Sequence, residues 1–217
     1  MNAVFGLKRR EDLTGEDTAL WDSIAGKRGY MPVSYQSLMN SPGAARAVSQ
    51  MGTYLRFESA VAEDVREAAV LVVNARLDCP FGWVQHVPVA LAAGVDQRAI
   101  DGLAAGELSG WLTPGQRTAA LMAEQSVRDG QVADATLAEA RDAFGVAETI
   151  DLLLAIGYYS MLALYFRSMN LRLPDLAARV PVGSAGHYDV DAFRPQFCHH
   201  LIEDLQRVKR HRRAGVR

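Results

Sequence analysis

Cysteine is scarce: Cys79 and Cys198 are the only two in 217 residues, too few for a disulfide framework, and both are expected to be free thiols in a reducing compartment unless one is catalytic. Long apolar runs are also missing. The longest, Leu152 to Phe166, covers 15 residues, short of the roughly 20 that a bilayer-spanning helix needs, so a buried helix is expected and no membrane span. Charge of one sign is nearly absent, since the formal net charge is −2 and offers no global handle for nucleic acid or anionic lipid. Met1 to Asp12 has no apolar run of signal-peptide type and contains Lys8, Arg9, Arg10 and Glu11, from which a cytoplasmic location is expected. The phosphate-binding GxxxxGKS/T loop, GxGxxG after a strand and the GxSxG nucleophile elbow do not occur, which removes the usual motifs of nucleotide and serine-hydrolase chemistry.

What is present is an ordinary globular balance, 49% hydrophobic and 22% charged residues, which argues against wholesale disorder. Helix signals dominate. Thr14 with Asp17 reads as a capping box for a helix toward Lys27, and Ser41-Pro42 opens another over Gly43 to Phe57. From Val61 to Leu77 the apolar run Ala68 to Val73 could be a buried strand, but about seventeen regular residues rich in Ala, Glu and Arg suit a helix packed on several sides. Pro80 starts a helix closed by Gly94, Asp96 caps one ending near Gly106, and Thr113, Pro114 and Gln116 start a further one. Asp134 is expected to cap a helix ending before Gly145, and Val146 to Met169 forms a long apolar helix. The fold class that follows is all-α, an irregular antiparallel helical bundle. Residues 1–172 form its domain, and 173–217 add a loop with Pro174, Pro181, Gly183 and Gly186 and then a basic helix, roughly Arg194 to Arg212.

That last segment concentrates positive charge, with seven Lys or Arg between 193 and 217 against Glu203 and Asp204. No aromatic residue interleaves Arg207 to Arg213 to stack on bases, so a solvated tail or subunit contact is preferred over nucleic acid. His187, Cys198, His199, His200 and His211 have ligand-type side chains, but adjacent residues on a helix point about 100° apart, and no paired-ligand spacing appears. No metal and no cofactor are expected.

Chemistry concentrates in Arg66 to Gly94, where Glu67, Cys79 and His86 occupy two successive helices. Cys79 and His86 are seven residues apart, about 700° of helical rotation, and therefore share a face. Cys79 stands at a helix amino terminus, where the dipole favours a thiolate. Glu67 lies on an apolar segment, and burial is expected to raise its pKa toward values useful in proton transfer. The structural alternatives are plain: Glu67 paired with Arg66, His86 as a hydrogen-bonded core histidine, Cys79 as a small buried apolar residue.

Glu67, Cys79 twelve residues later and His86 nineteen residues later, followed by an alanine-rich helix ending at Gly94-Val95, resemble the signature region of the carboxymuconolactone decarboxylase and alkylhydroperoxidase D-like superfamily. Ser41-Pro42, Leu55-Arg56-Phe57 and Ile100 to Gly106 extend the resemblance over about 38–107. It implies an alkylhydroperoxidase D-like bundle, a homo-oligomer (trimer or hexamer) and a small-molecule substrate. In the peroxidase branch the second cysteine of a Cys-x-x-Cys motif attacks peroxide; Gly82 fills that position here. The expectation is therefore the decarboxylase type of chemistry, a lyase or isomerase in which Glu67 and His86 exchange protons with a small organic acid, lactone or carbonyl compound. Arg56 is the candidate for a substrate carboxylate, through its bidentate fork. Trp83, three residues before His86, is the candidate pocket wall. A thiol peroxidase using Cys79 alone, or a non-catalytic helical oligomer that binds a ligand or partner, are the rival readings.

Overall fold

The computed structural model describes residues 3–108 and 110–171, and the loop and basic helix expected after Leu173 lie outside the described residues, as do Cys198 and the histidines near it. Among the described residues there are nine α-helices and no strand: α1 Gly15–Arg28, α2 Val33–Leu38, α3 Pro42–Thr53, α4 Glu63–Arg76, α5 Pro80–Ala93, α6 Gln97–Ala105, α7 Pro114–Asp129, α8 Asp134–Phe144 and α9 Val146–Ser168. The all-α bundle expected from the sequence is thus the fold observed.

Helix α4 is the hub, packing against α5, α6, α7 and α9. Its run from Ala68 to Val73 is buried on every side, so the stretch that imitates a strand is a helix enclosed by four others, each large apolar side chain contributing about 1.5–3 kcal/mol on burial. A second apolar cluster, Leu20, Ile24, Tyr35, Leu38, Met39 and Ala45, joins α1, α2 and α3.

Local signals set most boundaries. Thr113 and Gln116 form a reciprocal capping box, Asp96 accepts from the Arg98 amide, and Gly94 and Gly106 close α5 and α6 at positive φ. Other expected caps are not made. The Thr14 and Ser41 side chains make no capping hydrogen bond, and Ala133 occupies the cap position of α8, with Asp134 as its first helical residue. There the acidic side chain meets the helix dipole instead. Pro88 lies inside α5 and has no N–H for the Val84 carbonyl.

Two features bear on the site. Helix α3 continues into a π-helical turn, Tyr54–Glu58, a local widening frequent at functional sites. Helix α9 is long and apolar enough, by length and composition, to cross a membrane, yet half of its most apolar window is buried inside the bundle. One side of it belongs to the core, and it is longer than the apolar stretch read from the sequence.

Candidate active site

Glu67 projects from the first half of α4 and His86 from the middle of α5. The Glu67 side chain is fully buried and the His86 side chain is 12% exposed. His86 Nδ1 lies 2.6 Å from Glu67 Oε2. The second carboxylate oxygen, Oε1, accepts from Arg66 Nε and Nη2 at 3.4 and 3.3 Å. Arg66 is itself buried, and its Nη1 donates to the Leu55 carbonyl of the π turn at 3.3 Å. The Arg66 partner and the histidine partner, alternatives in the sequence, therefore coexist on one carboxylate.

Burial pushes the Glu67 pKa up, but the charges of His86, Arg66 and Arg56 and the hydrogen bond from His86 outweigh it and hold the carboxyl below its usual range. This corrects the expectation of a raised pKa, which reckoned with burial and not with three cationic neighbours. Glu67 is an ionised acceptor, so Nδ1 of His86 carries the proton. His86 Nε2 makes no hydrogen bond among the described residues. The Tyr159 ring of α9 stands edge-on to the imidazole at 4.8 Å. Its hydroxyl is pushed up to about 12 by burial, with Arg56 pulling it down and the Glu67 carboxylate adding to the rise. From the sequence Tyr158 and Tyr159 are tyrosines of an apolar helix that could reach the same cavity and carry no assigned role, because the contact of Tyr159 with His86 spans 73 residues.

Arg56, on the π turn, is half-buried and lies over the Phe57 ring at 5.4 Å. Burial disfavours its charge, while Tyr159, Glu67, Tyr30 and Tyr35 favour it and leave its pKa raised. It makes no ion pair or hydrogen bond among the described residues.

Cys79 stands at the cap position of α5. Its thiol is buried and its pKa is pushed up to about 11 by desolvation, a larger effect than the opposing hydrogen bond from the Gly82 amide and the charge of Arg167. No hydrogen bond links it to Glu67 or His86 among the described residues. The expected thiolate at the start of α5 is thereby corrected: the helix amino terminus does offer an amide, but the apolar surroundings dominate. Trp83 is fully buried in the main hydrophobic cluster, so this side chain packs the core and does not wall an open pocket. Gly82 is enclosed too, since a Cβ added there would run into the Asn74 carboxamide.

No protein-family model matches the sequence, and none of the curated protein sequences matches it. Solved structures do match. A peroxidase-related protein from Ralstonia eutropha JMP134, described as an alkylhydroperoxidase AhpD core, superposes with a TM-score of 0.69 at 18% identity, over 83% of this chain and 98% of that one. The chain has the alkylhydroperoxidase D-like fold. A peroxidase-related protein from Silicibacter sp. TM1040 has the same fold at TM-score 0.62 and 18% identity, covering 74% of this chain and 85% of that one. So does the debrominase Bmp8, a cysteine-to-alanine variant of which, in complex with 2,3,4-tribromopyrrole, gives a TM-score of 0.66 at 12% identity over 89% of this chain and 99% of that one. Alkylhydroperoxidase D-like architecture thus hosts more than one chemistry among these neighbours, and the reaction has to be argued from the site.

Proposed function

We propose that this chain is an enzyme of non-redox proton transfer acting on a small organic acid or related carbonyl compound, of the decarboxylase or isomerase type. One observation carries the reading: a buried carboxylate, already neutralised by Arg66, orients the imidazole of His86 through a 2.6 Å contact with Nδ1. Glu67 so held is a positioning group, and Nε2 of His86 is the base.

In the proposed cycle His86 Nε2 removes a proton from the carbon next to a carbonyl, and the electron pair moves onto the carbonyl oxygen as an enolate. Glu67 faces the imidazolium that forms, and the half-buried Arg56 is the cation available to the enolate or to a substrate carboxylate. Return of the proton from Nε2 to another carbon completes an isomerisation. If carbon dioxide leaves in place of that proton, the electrons of the broken carbon–carbon bond form the enolate, and its protonation by Nε2 of a His86 that begins the cycle protonated completes a decarboxylation. Positioned acid–base groups of this kind contribute roughly 10²–10⁴-fold in rate. A small ring compound bound by the debrominase of the same fold supports a compact substrate.

The test is deuterium uptake from D₂O, followed by proton NMR, across a panel of unsaturated lactone acids and 2-oxo and 3-oxo acids. Exchange or turnover of one of them by the native chain is expected to vanish in His86→Ala with the helical circular dichroism intact. Undiminished exchange in that variant disposes of the reading.

A thiol peroxidase using Cys79 alone is the second reading, favoured by the peroxidase-related neighbours. Against it stand the buried, hard-to-ionise Cys79 thiol and Gly82. Hydroperoxide consumption with a thiol donor that is lost in Cys79→Ser would establish it in place of proton transfer.

A further inference from the structure

Arg28, the last residue of α1, is 8% exposed, and no carboxylate lies within ion-pair distance of it among the described residues. Its Nη2 donates to the Tyr35 hydroxyl at 3.0 Å and, at the limit of hydrogen-bond length, to the Ser49 carbonyl at 3.5 Å. The guanidinium carbon sits 4.6 Å from the Tyr35 ring centroid. The other terminal nitrogen, Nη1, is buried with no hydrogen-bond partner, and so is the Thr53 hydroxyl at the end of α3. A buried guanidinium with neither a counter-ion nor a filled set of acceptors is costly to keep.

The surroundings are arranged around that charge. The Tyr35 and Tyr158 hydroxyls lie 3.4 Å apart, and Tyr158 also donates to the Val48 carbonyl at 3.0 Å. Position 52 is glycine, and a Cβ there would collide with the Tyr158 hydroxyl, so the bare backbone leaves room for the tyrosine pair. Tyr158 packs edge-on against Tyr159 at 5.2 Å, and Tyr159 against His86 at 4.8 Å. Arg56 lies in the field of both Tyr35 and Tyr159. A tyrosine-lined strip therefore runs from the unpaired Arg28, past Arg56, to the imidazole. The single fully buried carboxylate along it among the described residues, Glu67, is already engaged by Arg66 and His86.

We propose that Arg28, with the Tyr35 hydroxyl, is an anion subsite that takes a carboxylate of the substrate. This deepens the proton-transfer reading and rests on it: the acid would span from Arg28 to the imidazole across the Tyr158 and Tyr159 rings. A carboxylate has two acceptor oxygens for Nη1 and a hydroxyl, and its charge neutralises the guanidinium, which a neutral isostere cannot do.

Benzoate and its neutral isostere benzamide are the probes, titrated calorimetrically into the full chain at pH 7 and low salt. Benzoate is expected to bind and benzamide not to. Arg28→Gln is expected to weaken benzoate binding roughly 10–100-fold, as loss of a hydrogen-bonded charge requires, while Arg98→Gln, at an exposed arginine of α6 paired with Asp96, leaves it within a few-fold. If Arg28→Gln does not fold, Tyr35→Phe removes only a hydroxyl, and an expected weakening of roughly 3–10-fold serves in its place. Equal benzoate affinity in a folded Arg28→Gln or Tyr35→Phe variant overturns the subsite, as does absence of benzoate binding to the native chain. The two proposals fail separately. Arg28-dependent binding without any deuterium exchange keeps the subsite and removes the proton-transfer reading, and His86-dependent exchange with Arg28-independent binding does the reverse.

Discussion

The carboxamide of Asn74 in α4 occupies the space that any side chain on Gly82 in α5 would need. Asn74 is buried, its Nδ2 donates to the Val70 carbonyl at 2.8 Å, and its backbone carbonyl accepts from the Cys79 amide at 2.9 Å. The place where a Cys-x-x-Cys motif would hold its second sulfur is thus built over, and the α4–α5 contact depends on glycine there.

Gly82→Cys is therefore expected to destabilise the chain by about 1–3 kcal/mol, the usual cost of overpacking. Combined with Asn74→Ala, the loss should fall below the sum of the two single variants by about 0.5–3 kcal/mol, because the substitutions share one volume. Urea denaturation of the four proteins measures this coupling. Simple additivity would show that Asn74 does not exclude a side chain at 82.

How far this arrangement can be read from sequence follows from the range of each interaction. Pro80, Gly94, Asp96, Gly106 and the Thr113–Gln116 box act within one turn, and they locate α5, α6 and α7 without knowledge of the fold. Helix α2 escapes because six residues cannot display a 3.6-residue period. Glu67 and His86 are visible as chemistry on adjacent helices. The depressed Glu67 pKa is not, since it needs Arg56 from the π turn as well as Arg66. Arg28 with Tyr35 and Tyr159 with His86 are partners that only packing brings together.

Cys79 should behave as an apolar filler. With its thiol pushed up to about 11, little thiolate exists near neutrality, and labelling by a disulfide reagent at about pH 8 is expected to be slow in the native state and fast in denaturant. A Cys198→Ser background isolates the signal. Cys79→Ala should leave deuterium exchange unchanged. Rapid native labelling of Cys79, or loss of exchange in Cys79→Ala, would contradict this.

Glu67 gives a pH signature with a definite sign. Its folded pKa lies below the usual 4.5, so the carboxylate contributes stability that is fully present above about pH 5 and is lost as pH falls through the folded value. Glu67→Gln imitates the protonated state and takes from buried Arg66 the nearer of its two carboxylate partners, leaving Glu63 at 3.8 Å, an expected loss of about 3 kcal/mol at pH 7, the low end for a broken buried pair. Denaturation at pH 7 and at about pH 3.5 should show the gap between native chain and variant narrowing at the lower pH. A gap that widens on acidification would mean that the folded carboxyl titrates above 4.5.

The outward face of α9 carries the last prediction. Val146, Ile150, Leu153, Leu154, Met161 and Leu164 are all exposed, and their spacing places them along one side of the helix over about 18 residues, about 27 Å. Single exposed apolar residues are ordinary, but a continuous apolar stripe on a helix whose other side is core is what an association surface requires, and one is proposed here. A second copy of the chain is the occupant proposed, in keeping with the homo-oligomer implied by the sequence resemblance. The opposite faces of α9 fix the stripe by burying Leu152, Ile156, Tyr159 and Ala163, so it cannot rotate inward. Leu153→Glu together with Leu164→Glu is expected to lower the molar mass seen by light scattering toward 23.7 kDa, with helical content kept. A native chain that already elutes at that mass would leave the stripe without a second copy to cover it and refute the assembly.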